Sequence, residues 1–231
     1  MTMIINPFVY VSSGGDGYPE FKALAKSQFG GASTSGTLTL PSYAVGDLLI
    51  LSINYHATGA TLTLPSGWTL LASTTASTAT RHSIYYKVAD GTEGSSLSIT
   101  FSVVASFACI IASLKSGTFA FPVVIQAAQF VTTVTVESPP DPPSLSPSSG
   151  SAKYMVIASY GAKSDCSPTA YPYSGGDYIA NSGIGGSTGT RETVAICFGT
   201  FNASSVDPSP FAVSTTGTRW AISNTISIRG G

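Results

Sequence analysis

The sequence predicts an all-β fold: a jelly-roll-like antiparallel β-sandwich built from two pseudo-repeats, with a short N-terminal arm and one short helix. Three observations carry that expectation. Residues 46–55 (GDLLILSINY) open on a turn pair and continue as a nearly unbroken apolar run. The run is too short to span a membrane and too rich in Leu and Ile for a surface strand, so it reads as the middle of a sheet, buried on both faces. From Gly36 onward, short apolar or alternating segments recur between turn residues, the pattern of a sandwich or barrel rather than of a βαβ fold. The order of segments in the first half then comes round again in the second.

Taken in order, residues 1–18 hold an apolar opening interrupted by Pro7 and closed by a glycine cluster. Ile4, Ile5, Phe8, Val9 and Tyr10 are the candidates for an assembly arm. Residues 19–26 (PEFKALAK) predict the one helix: Pro19 suits a first helical position, Glu20 suits the first turn, and Phe21, Leu24 and Ala25 share a side. Strands are expected at 37–40, 47–55, 68–72, 81–89, 97–104 and 107–115, with Pro65-Ser66-Gly67 and Asp90-Gly91 as turns. The echo pairs 27–29 with 128–130, 48–54 with 154–160, 67–72 with 175–180, 81–87 with 191–197, and 107–115 with 220–229. A proline run at 138–143 cannot lie in a central strand and is expected to be extended at the surface. The organisation that follows is an arm and helix over 1–35 and a sandwich over 36–231, made of pseudo-repeats 28–117 and 129–231.

Composition narrows the function. Of the 231 residues only 9% are charged, against about 25% in ordinary soluble domains. Ser, Thr, Gly and Asn supply the missing polarity, which suits a chain packed against neighbours in an assembly better than a freely diffusing enzyme. The net charge of −1, without a basic stripe, offers nothing to neutralise phosphates, so no nucleic-acid partner is expected. No signal peptide or membrane span is legible either. Cys109, Cys166 and Cys197 cannot all pair, and reduced cysteines acting as small hydrophobes are expected.

A search for chemistry finds little. His56 and His82 lack a second histidine at metal-ligand spacing, no Gly-x-Ser-x-Gly elbow occurs, and the glycine-rich 183–189 has neither a following Lys nor a helix behind it. No catalytic residue, metal or cofactor is expected. Asp90 and Glu93 share one tight turn and read as solvated turn residues before they read as calcium ligands. The best candidates for a binding surface are Asp165, Tyr171, Tyr173, Asp177 and Tyr178, with Asn181 nearby: tyrosine faces stack on sugars while carboxylates and amides take hydroxyls.

Three motifs then stand in series: Gly46-Asp47-Leu48-Leu49-Ile50-Leu51, Leu64-Pro65-Ser66-Gly67-Trp68-Thr69-Leu70-Leu71, and Tyr85-Tyr86-Lys87-Val88-Ala89-Asp90-Gly91-Thr92-Glu93. The series resembles a β-sandwich module of tailed-bacteriophage virion structural proteins. The likeness covers 36–117 well and 129–231 loosely, since Gly175-Gly176-Asp177 replaces the tryptophan corner and Gly199-Thr200-Phe201 the acidic turn. It implies a setting rather than a reaction: a non-enzymatic virion component that folds in the host cytoplasm. The leading expectation is a capsid decoration (cement) protein, homotrimeric, bound to major capsid or tail proteins and not to nucleic acid or membrane. The alternative is a tail-fibre or adhesin-type module binding host-surface glycans.

Overall fold

A computed structural model describes residues 17–76, 80–134, 138–163, 166–173, 175–180, 192–215 and 219–231. The candidate arm residues Ile4, Ile5, Phe8, Val9 and Tyr10 and the candidate contact residue Asp165 lie outside them. The described residues are all β-structure and connections, in two antiparallel sheets packed face to face.

The first sheet has the order β1–β6–β2–β5–β4, from β1 (Phe21–Thr39), β2 (Leu48–His56), β4 (Thr69–Ala76), β5 (Thr80–Val88) and β6 (Ser96–Leu114), with short β3 (Leu62–Thr63) also on β6. The second has the order β7–β13–β8–β11–β10, from β7 (Ile125–Val134), β8 (Ala152–Lys163), β10 (Gly175–Ala180), β11 (Glu192–Ala203) and β13 (Arg219–Arg229). A separate pair joins β9 (Cys166–Ala170) to β12 (Ala212–Thr215). Each large sheet is therefore drawn from one half of the chain, and the strand orders correspond one to one. The segments paired in the sequence echo sit on corresponding strands. In the stack, β2 crosses β8, β6 crosses β11 and β4 lies against β7.

The run that organises the first half is the middle strand of its sheet, and Leu48 to Tyr55 are all buried. Its two faces serve different cores. Leu48 and Ile50 meet Met155, Ile157, Ile196, Ile226 and Ile228 between the sheets. Leu51, Ile53 and Tyr55 face outward, where Leu38, Leu97, Ile99 and Phe101, from the far ends of β1 and β6, cover them. The second sheet is covered likewise: Phe211 and Val213 pack on Tyr160, Ala162 and Cys197, and Val206 packs on Tyr154 and Val156. A sheet covered on both faces needs no alternation, which is why both central strands read as continuous apolar runs.

Two expectations are corrected. The helix over 19–26 is strand: β1 starts at Phe21 and pairs with β6, Phe21 opposite Leu114 and Lys26 opposite Ile110. Two turns of helix return few hydrogen bonds for the cost of nucleation. The ladder satisfies the same backbone and also sets Phe21 and Leu24 against the inter-sheet core. β1 runs on to Thr39, so the end of the expected arm and the first expected strand are one element. Similarly, 97–104 and 107–115 are not two strands but the single β6. The cysteines are free and buried, as expected.

Candidate functional site

The second and third motifs meet at one corner of the first sheet, around Lys87, and the first lies beside it on β2, where Leu49 pairs with Lys87. β5 carries this lysine near its end on the outer face of the sheet, the side of Tyr85, and the Asp90–Glu93 turn folds back beneath it. Lys87 Nζ lies 2.9 Å from Glu93 Oε1 and 3.2 Å from Asp90 Oδ2, with the Lys87 and Glu93 side chains buried. Glu93 also accepts from the backbone N–H groups of Asp90 and Gly91, each at 3.0 Å, and Asp90 accepts from the Thr92 amide at 2.9 Å and hydroxyl at 2.5 Å. The opposite wall is the Pro65–Trp68 turn. Gly67 has φ +91°, and a Cβ there would stand 3.0 Å from Lys87 Cε, so glycine serves both the turn and the passage of the lysine. A groove of about 400 Å³ remains, lined by Trp68, Lys87, Asp90, Thr92, Glu93 and Ser98 among others.

Electrostatics in this corner is settled internally. The Glu93 hydrogen bond raises the Lys87 ammonium above its ordinary value. The Thr92 hydroxyl and amide and Lys87 hold Asp90 down at about 2. Burial pushes Glu93 upward, but the Asp90 amide and Lys87 hold it below its usual range. The acids expected as solvated turn residues therefore tie their own turn to Lys87. Asp47 of the first motif behaves in the same way. It accepts from Lys22 Nζ at 2.5 Å and from the amides of Ala44 and Ser116 at 2.7 and 2.8 Å, joining the start of β2 to β1 and to the end of β6.

A second constellation lies between the sheets, at the end away from the Leu48–Ile228 core. Asn224 Nδ2 donates to His82 Nδ1 at 2.7 Å, leaving His82 Nε2–H to donate to Ser52 Oγ at 2.8 Å. Asn54 Nδ2 donates to the Glu192 carboxyl and, at 3.1 Å, to the Ala162 carbonyl. A Cβ on Gly161 would stand 2.7 Å from Asn54 Oδ1, so the bare backbone there lets Asn54 reach across. Thr74 Oγ1 donates to Gln129 Oε1 at 2.7 Å where β4 meets β7. Ser52, Asn54, His82, Glu192 and Asn224 are wholly buried. Burial drives Glu192 well above its usual range, against the pull of Lys163. Burial takes His82 down to about 3, against a smaller upward pull from the Ile222 backbone. The order Ser52–His82–Asn224 imitates a nucleophile, base and orienting amide. A histidine of pKa about 3 is a poor base, however, and the hydroxyl has no exposure to a substrate.

The candidate binding residues are divided. The Tyr171 ring meets Phe211 edge-on with centroids 6.0 Å apart, and the Tyr173 ring lies 5.2 Å from that of Phe201. Both rings pack partly buried against the outer cores of the second sheet, and burial pushes the Tyr173 phenol well above its ordinary value. Asp177 and Tyr178 belong to β10, opposite Ile196 and Ala195 on β11. The polar residues between the sheets were not singled out as a site from the sequence, although one signal existed. Ser52 and Asn54 follow Leu48 and Ile50 at period two, and His82 precedes Ile84 by two, so all share the inward face. No family model, curated protein or solved structure matches the chain.

Proposed function

We propose that the protein is a non-enzymatic bacteriophage virion structural protein, a capsid decoration protein that stabilises the assembled particle through subunit contacts. The observation that carries this reading is the meeting of two of the three phage-like motifs at Lys87, with the first on the neighbouring strand β2. The residues that make the resemblance are those that lock two turns and a strand end together, so the likeness belongs to a working structural unit and not to scattered identities. The surface agrees. Charge is sparse, and Leu70, Phe121, Phe130 and Trp220 stand exposed, available for contacts with major capsid or tail proteins. Residues 1–18 would reach over a neighbour in such an assembly.

The test is the protein's place and effect on purified particles. Quantitative mass spectrometry should find it in fixed stoichiometry to the major capsid protein, and surface labelling should find it on the head. Particles that lack it should lose resistance to heat and low salt. Absence from purified particles would overturn the reading. Deleting residues 1–18 should lower incorporation, and unchanged incorporation would remove the arm from the proposal.

A further inference from the structure

The sandwich has four edge strands, and the described residues treat them unequally. An open edge presents unpaired N–H and C=O groups, and proteins blunt it with charge, bulges or brevity. β1 carries Lys22 and Lys26 and three register shifts against β6. β4 bulges between Leu70 and Ala72. β10 has six residues, two of them glycine and one an aspartate. β7 has none of these devices. Its ten residues, IQAAQFVTTV, contain no charge, proline or glycine, and they pair with β13 in unbroken register from Ile125 opposite Ile228 to Val134 opposite Arg219. Phe130 on this strand is 53% exposed.

We propose that the outward edge of β7 pairs antiparallel with β7 of a second copy of this chain, about a two-fold axis. This deepens the structural role proposed above, on which it rests for its biological setting, by naming one contact surface and its partner, and it puts a two-fold pair in place of the homotrimer expected from the sequence. A two-fold makes a strand antiparallel to its own copy, so one operation joins two five-stranded sheets into one continuous sheet. β4, stacked on β7 through Thr74 and Gln129, comes to the same contact, and it too lacks charge. With a net charge of −1 per chain, two copies meet without electrostatic opposition. The area suffices as well. At about 3.3 Å per residue the edge is roughly 33 Å long, and with two sheets about 10 Å apart it is some 15–20 Å deep. Two copies then bury on the order of 1,000 Å², the threshold for a specific contact. The chain's own residues 1–16 are a poorer occupant, because Pro7 cannot donate to a ladder in the middle of their apolar stretch.

Sedimentation equilibrium of the full chain tests the proposal. The parent should show a reversible species of twice 23.6 kDa. Phe130→Lys, which sets like charges across the axis at an exposed position, should raise its dissociation constant at least about tenfold. Val45→Lys, exposed on a turn elsewhere, should leave it unchanged. Amide exchange in the parent, which needs no variant, should speed up over Ile125–Val134 on dilution while β2 stays protected. A monomeric parent, a trimeric mass, a dimer indifferent to Phe130→Lys, or association that appears only when residues 1–16 are deleted would each overturn the pairing. A monomer that still enters particles would overturn the pairing alone, whereas a dimer absent from particles would overturn the virion role and leave the pairing standing.

Discussion

The interior between the two sheets has two ends built on opposite principles. At one end Leu48, Ile50, Met155, Ile157, Ile226 and Ile228 make an apolar core with no hydrogen bonds to satisfy. At the other, the same strands present Ser52, Asn54, His82, Ser159, Glu192 and Asn224, equally buried but polar. The first end gains stability from area alone and tolerates any arrangement that fills it. The second gains little net free energy, because each hydrogen bond replaces one to water. It is demanding instead. Asn54 must find Glu192 and Ala162, and His82 must find both Ser52 and Asn224. The difference teaches a division of labour in which the apolar end supplies stability and the polar end fixes how one sheet sits on the other.

The largest test of this contrast is at the apolar end. Ile157→Ala should lower unfolding free energy by about 2–5 kcal/mol, with no pH dependence of its own, as read by urea denaturation. At the polar end, Asn54→Leu should cost about 1–3 kcal/mol, because it strands the Glu192 carboxyl without its donor. Adding Glu192→Met should restore most of that loss, since removing both partners leaves only the Ala162 carbonyl without its Asn54 donor. If the pair were a net source of stability, the double variant would be the weaker one, and the division of labour would fail.

The polar end should also give the protein its pH profile. Glu192 is raised above its ordinary 4.5, so its contribution is complete below that pH and is lost as pH rises toward its folded value. His82 is lowered from 6.5 to about 3, so its contribution is complete above 6.5 and is lost as pH falls toward 3. Just above 4.5 the two slopes oppose each other, and below 4.5 only that of His82 remains. A fully expressed slope is about 1.4 kcal/mol per pH unit. Stability should therefore level off just above pH 4.5 and fall on the acid side of it. Glu192→Gln should turn that level stretch into a continued rise with pH toward 6.5 and leave the acid side in place. A profile unchanged by that substitution would take the buried acid out of the account.

How much of this was legible follows the same contrast. Most of the strands as segments along the chain and the central position of residues 46–55 could be read, because turn residues and apolar runs are local signals. Register could not. The sequence echo sets Leu48 against Tyr154, whereas the structure sets the inward residues Leu48 and Ile50 against Met155 and Ile157. A slip of one residue reverses every side chain in a strand. It leaves no trace in β8, where Tyr154 and Val156 are as buried on the outer face as Met155 and Ile157 are on the inner. The helix misread at 19–26 has a related cause. Phe21 and Leu24 fit a helical spacing, and only β6, some 90 residues away in the chain, decides for strand. Of the candidate site, the Lys87 corner was visible as motifs but not as an ion pair, since nothing local says that Lys87 is buried against Glu93. The His82 and Glu192 network joins residues of both halves, and its one local signal, the period-two spacing that puts Ser52, Asn54 and His82 on the inward face, does not say which partners they meet.

The smallest expected effect asks where within the polar end the ordering resides. Ser159 lies wholly buried beside Asn224, but its hydroxyl is 3.4 Å from Asn224 Nδ2, long for a hydrogen bond, whereas the same amide reaches His82 Nδ1 at 2.7 Å. Ser159→Ala removes the weak contact and keeps the strong one. It should cost no more than about 0.5 kcal/mol, with the His82 limb of the pH profile intact. Asn224→Ala removes both and should cost about 1–3 kcal/mol, because His82 then keeps a buried ring nitrogen without its donor. Equal losses from the two substitutions would mean that the hydroxyls share the ordering evenly. A clear gap would assign it to the amides that bridge the sheets, Asn224 to His82 and Asn54 to Glu192, one projecting from each sheet toward the other.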